Sequence, residues 1–278
     1  MYSPCCSSFP RTEQVSAISR FVDINFINLR GGLGNQIIQL SYVINSGKNP
    51  VANINAVNLR RQLQYFKGVE YVNSKIMNLL MGSARKLSFF LTSSNIDLSC
   101  FGFNDGYFQF GDLTKIIPKK LEEHLLSQIV VDSNILSTID IVLHVRGGDY
   151  FTASALKVYE RCDESYYSIA LNQALLKLNK HNATIFIVTN DKKYATILLH
   201  KLIDTEQHNV NYYYKSEWSD FSLIQRAEIA IIPNSTFSMT ARMLNKNGIT
   251  IAPKKWFTIQ SKFTTPFCAN FIYIESCK

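Results

Sequence analysis

Residues 27–46 read INLRGGLGNQIIQLSYVINS, and the reading of this stretch decides the fold. An apolar run ends at Leu29, three glycines follow, and Ile37, Ile38, Leu40, Val43 and Ile44 then recur at helical spacing. The pattern predicts a strand, a sharp corner and an amphipathic helix over about 36–46. A phosphate-cradling loop needs a lysine followed by Ser or Thr at the helix start, but Gly34 is followed by Asn35, Gln36 and Ile37. The dinucleotide fingerprint needs a third glycine for close helix packing. Gly32 and Gly34 fill its first two positions and Ile37 takes the third. What remains is physical. Gly31, Gly32 and Gly34 permit positive φ and close approach to the backbone, and the helix points its free N–H groups and positive dipole end at the corner. Asn35 and Gln36 add neutral donors. The alternative is a tight turn that binds nothing.

Outward from this corner the chain repeats the same alternation. VANINAV (51–57) reads as a second strand, 73–91 as helical stretches, and 118–137 as a helix followed by a connector. A second run follows: strand 140–146, helix 164–180, strand 184–189, helix 192–203, strand 211–214, helix 219–226 and strand 229–232. GITIAP (248–253) gives a further strand. Apolar runs alternating with helical patterns predict an α/β fold with parallel sheets and crossover helices. Residues 1–20 read as a polar, poorly ordered lead-in. An N-terminal α/β half spans 21–135 and a C-terminal half 136–278.

The chain has 278 residues, 46% hydrophobic and 18% charged, which makes it globular. Its formal charge of +8 is spread evenly, with 13 basic and 9 acidic groups in residues 1–135 and 16 and 12 in the remainder. An even excess suits an anionic small ligand or an acidic membrane surface. With no basic arm and no helix-turn-helix or RNA-binding signature, nucleic acid is not expected as a partner. No run approaches the length of a membrane span. The first residues lack the apolar centre of a signal peptide, so a cytoplasmic protein is expected. The six cysteines form no C-x-x-C pair, which argues against a zinc site or a disulfide framework.

In parallel sheets ligands sit outside the carboxyl ends of the strands, and four further polar corners fall there. In IDIVLHVRGGDY (139–150), His144 and Arg146 share one strand face. Arg146 offers the planar fork that suits a diphosphate, unless it merely pairs with Asp149. In TIFIVTNDKKYA (184–195), Asp191 either caps the next helix, its default role, or receives a ribose or base. In AEIAIIPNSTFSMTARMLN (227–245), Asn234, Ser235, Thr236, Phe237 and Ser238 precede a helix. They form either an anion nest or an ordinary cap. GYFQ (106–109) places two aromatics in a loop.

Taken in order, GGLGNQ, GYFQ, HVRGGDY, Tyr166-Tyr167, TND, NSTFS and IAPKKWF (251–257) resemble the α-1,2-fucosyltransferase family of glycosyltransferases. The resemblance runs from about Ile27 to Phe257. It implies a GT-B-like architecture, two Rossmann-like α/β domains facing a cleft, with GDP-fucose held mainly by the C-terminal half. It further implies an inverting transfer with no metal or other cofactor. L-fucose would move to the 2-hydroxyl of a galactose-containing glycan, in bacterial surface polysaccharide synthesis at the inner membrane face. By the same resemblance Arg146 and Asn35 are catalytic. Gly32, Gly34, His144, Arg146, Asp191, Asn234, Ser235, Thr236, Phe237 and Ser238 are expected around the donor. Inversion asks for a base, and Asp149 is the first candidate, ahead of Glu228. The chain departs from the family pattern in two places. Gly147 stands where a second arginine is usual, and Met239-Thr240 stand where two tryptophans are usual. Arg242 is new, and facing the cleft it would restore the charge lost at Gly147. These departures leave two rivals: a related transferase using another nucleotide sugar, and an inactive binding relative.

Overall fold

The computed structural model describes residues 24–79, 96–98, 103–105, 107–109, 111–129, 135, 138–258 and 265–275. The lead-in at 1–20 and most of the helical reading over 73–91 lie outside them, although 75–79 are helical.

Two sheets carry the fold. In the first, β1 (Ile24–Asn28) lies between β2 (Asn49–Asn53) and β5 (Phe103–Asp105), both parallel to it. β3 (Glu70–Val72) extends it in parallel beside β2, and β4 (Ile96–Leu98) closes the other edge antiparallel to β5. The second sheet is entirely parallel. Its strands are β6 (Ile141–Val145), β7 (Thr184–Thr189), β8 (Asn209–Tyr213), β9 (Ile229–Ile231), β10 (Ile249–Pro253) and β11 (Ile272–Ile274), in the order β11-β10-β9-β6-β7-β8.

The helices are α1 (Leu33–Asn45), α2 (Arg61–Gln64), α3 (Lys119–Ser127), α4 (Ala153–Leu156), α5 (Glu164–Leu178), α6 (Lys192–His200), α7 (Glu217–Arg226) and α8 (Thr236–Met243). Their ends follow local chemistry. α5 begins where the Asp163 carboxylate accepts the Tyr166 N–H at 3.1 Å, and it stops where Asn179 turns left-handed at φ 50°.

β6 is buried on both faces, as a central parallel strand must be. Ile141, Leu143 and Val145 pack with Tyr166, Tyr167 and Ala170 of α5 in one core. Val142, Phe186 and Val188 belong to a second core that runs on through Phe221 and Met239 to Ile37 and Leu40 of α1. One apolar core is thus shared by both halves. The strand carboxyl ends of the two sheets face a common cleft, the arrangement that the resemblance implies.

The chain also returns at its end. Phe267 bridges Asp112, its carbonyl accepts the Leu113 N–H at 2.8 Å, and the Ala269 N–H reaches Thr114 Oγ1 at 2.7 Å. The C-terminal stretch therefore touches both halves.

Candidate functional site

The cleft holds a cavity of about 460 Å³, within the roughly 300–1,000 Å³ of small-molecule sites. Gly32, Gly34, Asn35 and Arg60 line it from the N-terminal half, and His144, Arg146, Tyr150, Ser235, Thr236 and Phe237 from the other.

The glycine corner has a reason that the sequence did not show. Gly31 holds φ +75°, and the Asn35 side chain lies where its Cβ would be. Gly34 presses on the backbone of the opposite helix, and a Cβ there would collide with the Thr236 carbonyl and the Phe237 N. The close approach that Gly34 permits is to protein, so α1 and α8 meet at their first turns. Both helix N-termini then open on one cavity, and their partial positive charges add.

Asn35 joins the three loops. Its Oδ1 accepts from Gln109 Nε2 and from Thr236 Oγ1, each at 2.7 Å. GGLGNQ, GYFQ and NSTFS are thereby tied in one hydrogen-bonded chain. Gln36 turns inward and braces the corner, donating to the Gly31 carbonyl at 2.9 Å. It does not face the cleft, so the reading that paired it with Asn35 as a ligand donor is corrected.

His144 and Arg146 stand on one face of β6 and its extension, as the spacing predicts. His144 is 3% exposed and meets Phe237 edge-on at 5.8 Å. Burial, and then the Arg146 charge, lower its pKa to about 3, so its ring is neutral. Its Nδ1 has no partner. Arg146 donates from Nη2 to Asp149 Oδ2 at 2.8 Å, lies over the Tyr150 ring at 5.0 Å, and has an unpartnered Nε.

The neighbouring loops are stapled together. Asn190 accepts the Gly147 N–H at 2.9 Å and donates to Asp149 Oδ1 at 3.3 Å. Asp191 caps α6 through the Tyr194 N–H at 3.0 Å and accepts the Gly148 N–H at 3.1 Å. A Cβ on Gly147 would lie 2.7 Å from the Asp191 Cβ. The absent second arginine and the packing of Asp191 are thus one feature.

Other expected site residues sit behind the cavity wall. Asn234 is buried and donates to the Glu160 and Trp256 carbonyls at 2.7 and 2.9 Å. Ser238 is buried, with its hydroxyl on the Ser235 carbonyl. Asp149 and Asp191 flank the cavity in adjoining loops, and neither lines it. Met239 and Thr240 are in the core.

Arg242 does not face the cleft, which corrects its expected role. It is 0% exposed, and its guanidinium donates to the Ile224, Gln225, Ala227 and Ile249 carbonyls and to Thr250 Oγ1. Gly248 leaves room for it, since a Cβ there would strike Nη2. With this many acceptors it needs no acid, although burial lowers its pKa to about 10.

Three charged lining residues escaped the sequence reading. Arg60 Nε meets Glu217 Oε2 at 3.1 Å across the cleft. Asp220 lines the cavity with an unpartnered Oδ1. Burial, opposed by the Lys215 backbone and reinforced by Glu217, raises its pKa to about 6. Asp220 lies in the first turn of α7, seven residues beyond β8, so the rule that found the other corners does not reach it. Arg60 belongs to no motif.

Among the described residues no three His, Cys, Asp or Glu side chains gather as a metal site would require, and no helix is long and apolar enough to cross a membrane. A model of Glycosyl transferase family 11 matches residues 90–275. Among solved structures the chain is similar to E. coli heptosyltransferase WaaC with ADP, at 10% identity and TM-score 0.46, covering 90% of this chain and 92% of that one. It is similar to E. coli ADP-heptose lps heptosyltransferase II at 12% identity and TM-score 0.46, covering 90% of each. POFUT1 in complex with GDP-fucose is similar at 9% identity and TM-score 0.40, covering 91% of this chain and 98% of that one. No curated protein sequence matches the chain.

Proposed function

Because the chain belongs to glycosyl transferase family 11, we propose that it moves L-fucose from GDP-fucose to the 2-hydroxyl of a galactose-containing glycan, with inversion and without a metal. The observation that carries this reading is the meeting of α1, α8 and Arg146 at one cavity, with Asn35 hydrogen-bonded across the halves.

A leaving diphosphate develops negative charge that must be neutralised. Two helix N-termini and the Arg146 guanidinium supply that without a metal, and Ser235, Thr236 and Phe237 present their backbone to it. Gly32 and Gly34 let the α1 end reach the same place. Asp220 and His144 are suited to the base. A carboxylate accepts the paired N–H donors that guanine carries on one edge, and a neutral imidazole serves as donor or acceptor. Asp191 and Asn234 act by holding the loops in position.

In the transfer the galactose O2 attacks the anomeric carbon from the face opposite the diphosphate. The new C–O bond forms as the carbon–phosphate-oxygen bond breaks, and its electron pair leaves with GDP. Asp149 takes the O2 proton, and Asn35 orients the reacting groups. Arg146 turns from Asp149 to the diphosphate when the donor binds, which frees the carboxylate. A surface-polysaccharide acceptor at the inner membrane face fits the +8 charge.

Thermal unfolding in EDTA with GDP-fucose, GDP-mannose, GDP, UDP-galactose and CMP-sialic acid tests the donor. A ligand that binds only the native state raises the midpoint by mass action. Shifts with GDP and GDP-fucose that vanish in Arg146→Ala are expected. A response to another nucleotide alone would assign the donor to the rival transferase. Binding without turnover toward any galactoside would make the chain an inactive relative.

A further inference from the structure

We propose that Tyr159 and Phe257, faced by Tyr107 from the opposite half, form the acceptor subsite, which packs the C–H face of a neutral pyranose ring. The inference rests on the transferase reading above and names a part of the site that reading leaves empty.

The rings form a ladder leading out of the donor cavity. Tyr150 lines the cavity beneath Arg146, Tyr159 stacks on Tyr150 with centroids 4.8 Å apart and planes at 23°, and Phe257 follows Tyr159 at 5.6 Å. Tyr159 and Phe257 are only half-buried, and Tyr107 is 41% exposed. The Tyr107 phenol, on the other half, is near enough to Tyr159 to be, after burial, the second cause that raises its pKa.

The ladder is built before any ligand arrives. Tyr159 and Phe257 form an antiparallel bridge. On either side the Glu160 N–H meets the Trp256 carbonyl at 3.0 Å, and the Thr258 N–H meets the Val158 carbonyl at 3.0 Å. Tyr150 is fixed by its hydroxyl on the Asn234 carbonyl at 3.2 Å. Two strapped segments thus hold the rings at fixed spacing, as preorganised recognition requires.

The chemistry selects the ligand class. Aromatic faces are electron-rich and attract polarised C–H groups, of which a pyranose carries a row on one face. At the cavity end of the ladder Arg146 and Asp149 are paired with each other. Once Arg146 turns to the diphosphate, Asp149, 64% exposed, is left as a free carboxylate beside the ladder, which a neutral sugar tolerates and an anionic one does not. Asp149 is held by the same Arg146 that lies over the Tyr150 ring, so the proposed base stands beside the cavity end of the ladder.

Saturation-transfer NMR on the GDP-loaded protein tests this with methyl β-galactoside, methyl β-glucoside and 3′-sialyllactose. Transfer from aromatic protons to one of the neutral glycosides is expected, at least fivefold weaker in Tyr159→Leu and in Tyr107→Ala. Tyr159→Phe should restore it, and the remote Tyr65→Ala should leave it as in the wild type. Undiminished transfer in Tyr159→Leu and Tyr107→Ala overturns the assignment. So does preference for the sialylated sugar, or absence of any sugar signal from a protein that shows a GDP shift. Absence of the GDP shift itself would strike the donor reading, and is seen separately.

Discussion

Thr236 Oγ1 donates to Asn35 Oδ1 at 2.7 Å across 201 positions of sequence. Both residues line the cavity, and the bond lies beside the point where Gly34 meets the α8 backbone. The two halves are therefore clamped by polar and steric contacts at the same place where the ligand would lie.

Thr236→Val should cost about 1 kcal/mol, the usual net value of one hydrogen bond. The loss should appear as a lower unfolding midpoint. Turnover should fall further than that figure implies, because Asn35 also loses its orientation. Parallel thermal and kinetic measurements on one preparation would show the split, and equal losses in both would argue against an orienting role.

Gly34→Ala adds a methyl where the Thr236 carbonyl and Phe237 N already sit. Overpacking of this kind costs roughly 1–3 kcal/mol. Since the methyl forces the helix ends apart, donor affinity should fall along with stability, even though it touches no ligand. Isothermal titration with GDP is the check, and unchanged affinity would mean that the helix ends can part without harm.

Arg146 and Arg242 make a contrasting pair. Arg146→Ala should lower turnover by about 10²–10³, the range for removing one preorganised donor to developing charge, with little change in stability. Arg242→Ala leaves several buried carbonyls without donors, at about 1–3 kcal/mol for each unsatisfied group. It should cut soluble yield and midpoint while the folded fraction keeps its donor affinity. A stable Arg242→Ala that had lost donor binding would reverse the roles.

Asp220 supplies a pH dependence. Its folded pKa is raised to about 6 from an ordinary 3.8, chiefly by burial. The unfolded chain therefore gives up the proton first as pH rises. The penalty is absent below about 3.8, grows through the interval, and is complete above about 6. The full shift would correspond to about 3 kcal/mol, and screening over the exposed part of the group reduces this to about 1 kcal/mol. Asp220→Asn should be the more stable protein at pH 7 and lose that advantage near pH 4. Wild-type GDP affinity should weaken below about pH 6, and that dependence should flatten in the variant. Midpoints and titrations across pH 4–8 read both effects.

Much of the second sheet was legible. The expected strand at 184–189 is β7, Thr184–Thr189, because a strand buried on both faces is a plain apolar run between turn residues. α1 begins at Leu33, three residues ahead of its expected start, because the helix continues through Gly34. β3, β4, β5 and β11 are three residues long and went unread, whereas β9, equally short, showed because it lies in the unbroken apolar run IAII at 229–232. The site divides the same way. Corners after strands pointed to Asn35, His144, Arg146 and Thr236, all of which line the cavity. Sequence could not tell which side of a loop faces inward, so Asn234, Gln36 and Arg242 were expected nearer the ligand than they lie. Arg60 and Glu217 meet only through tertiary structure, and nothing local marks either.

The return of the chain end to Thr114 sets an order on assembly. Halves that leave the ribosome first can begin to fold first, yet the segment 111–114 waits for residues 267 and 269 before its bridge and hydrogen bonds can form. The glycine corner waits almost as long, for Thr236. A nascent chain therefore holds the Asn35 corner of the cavity unfinished until residue 236 has emerged. Deleting residues 267–275 takes β11 from the second sheet and the bonds to 112–114 from the first half, so a protease should reach both halves sooner.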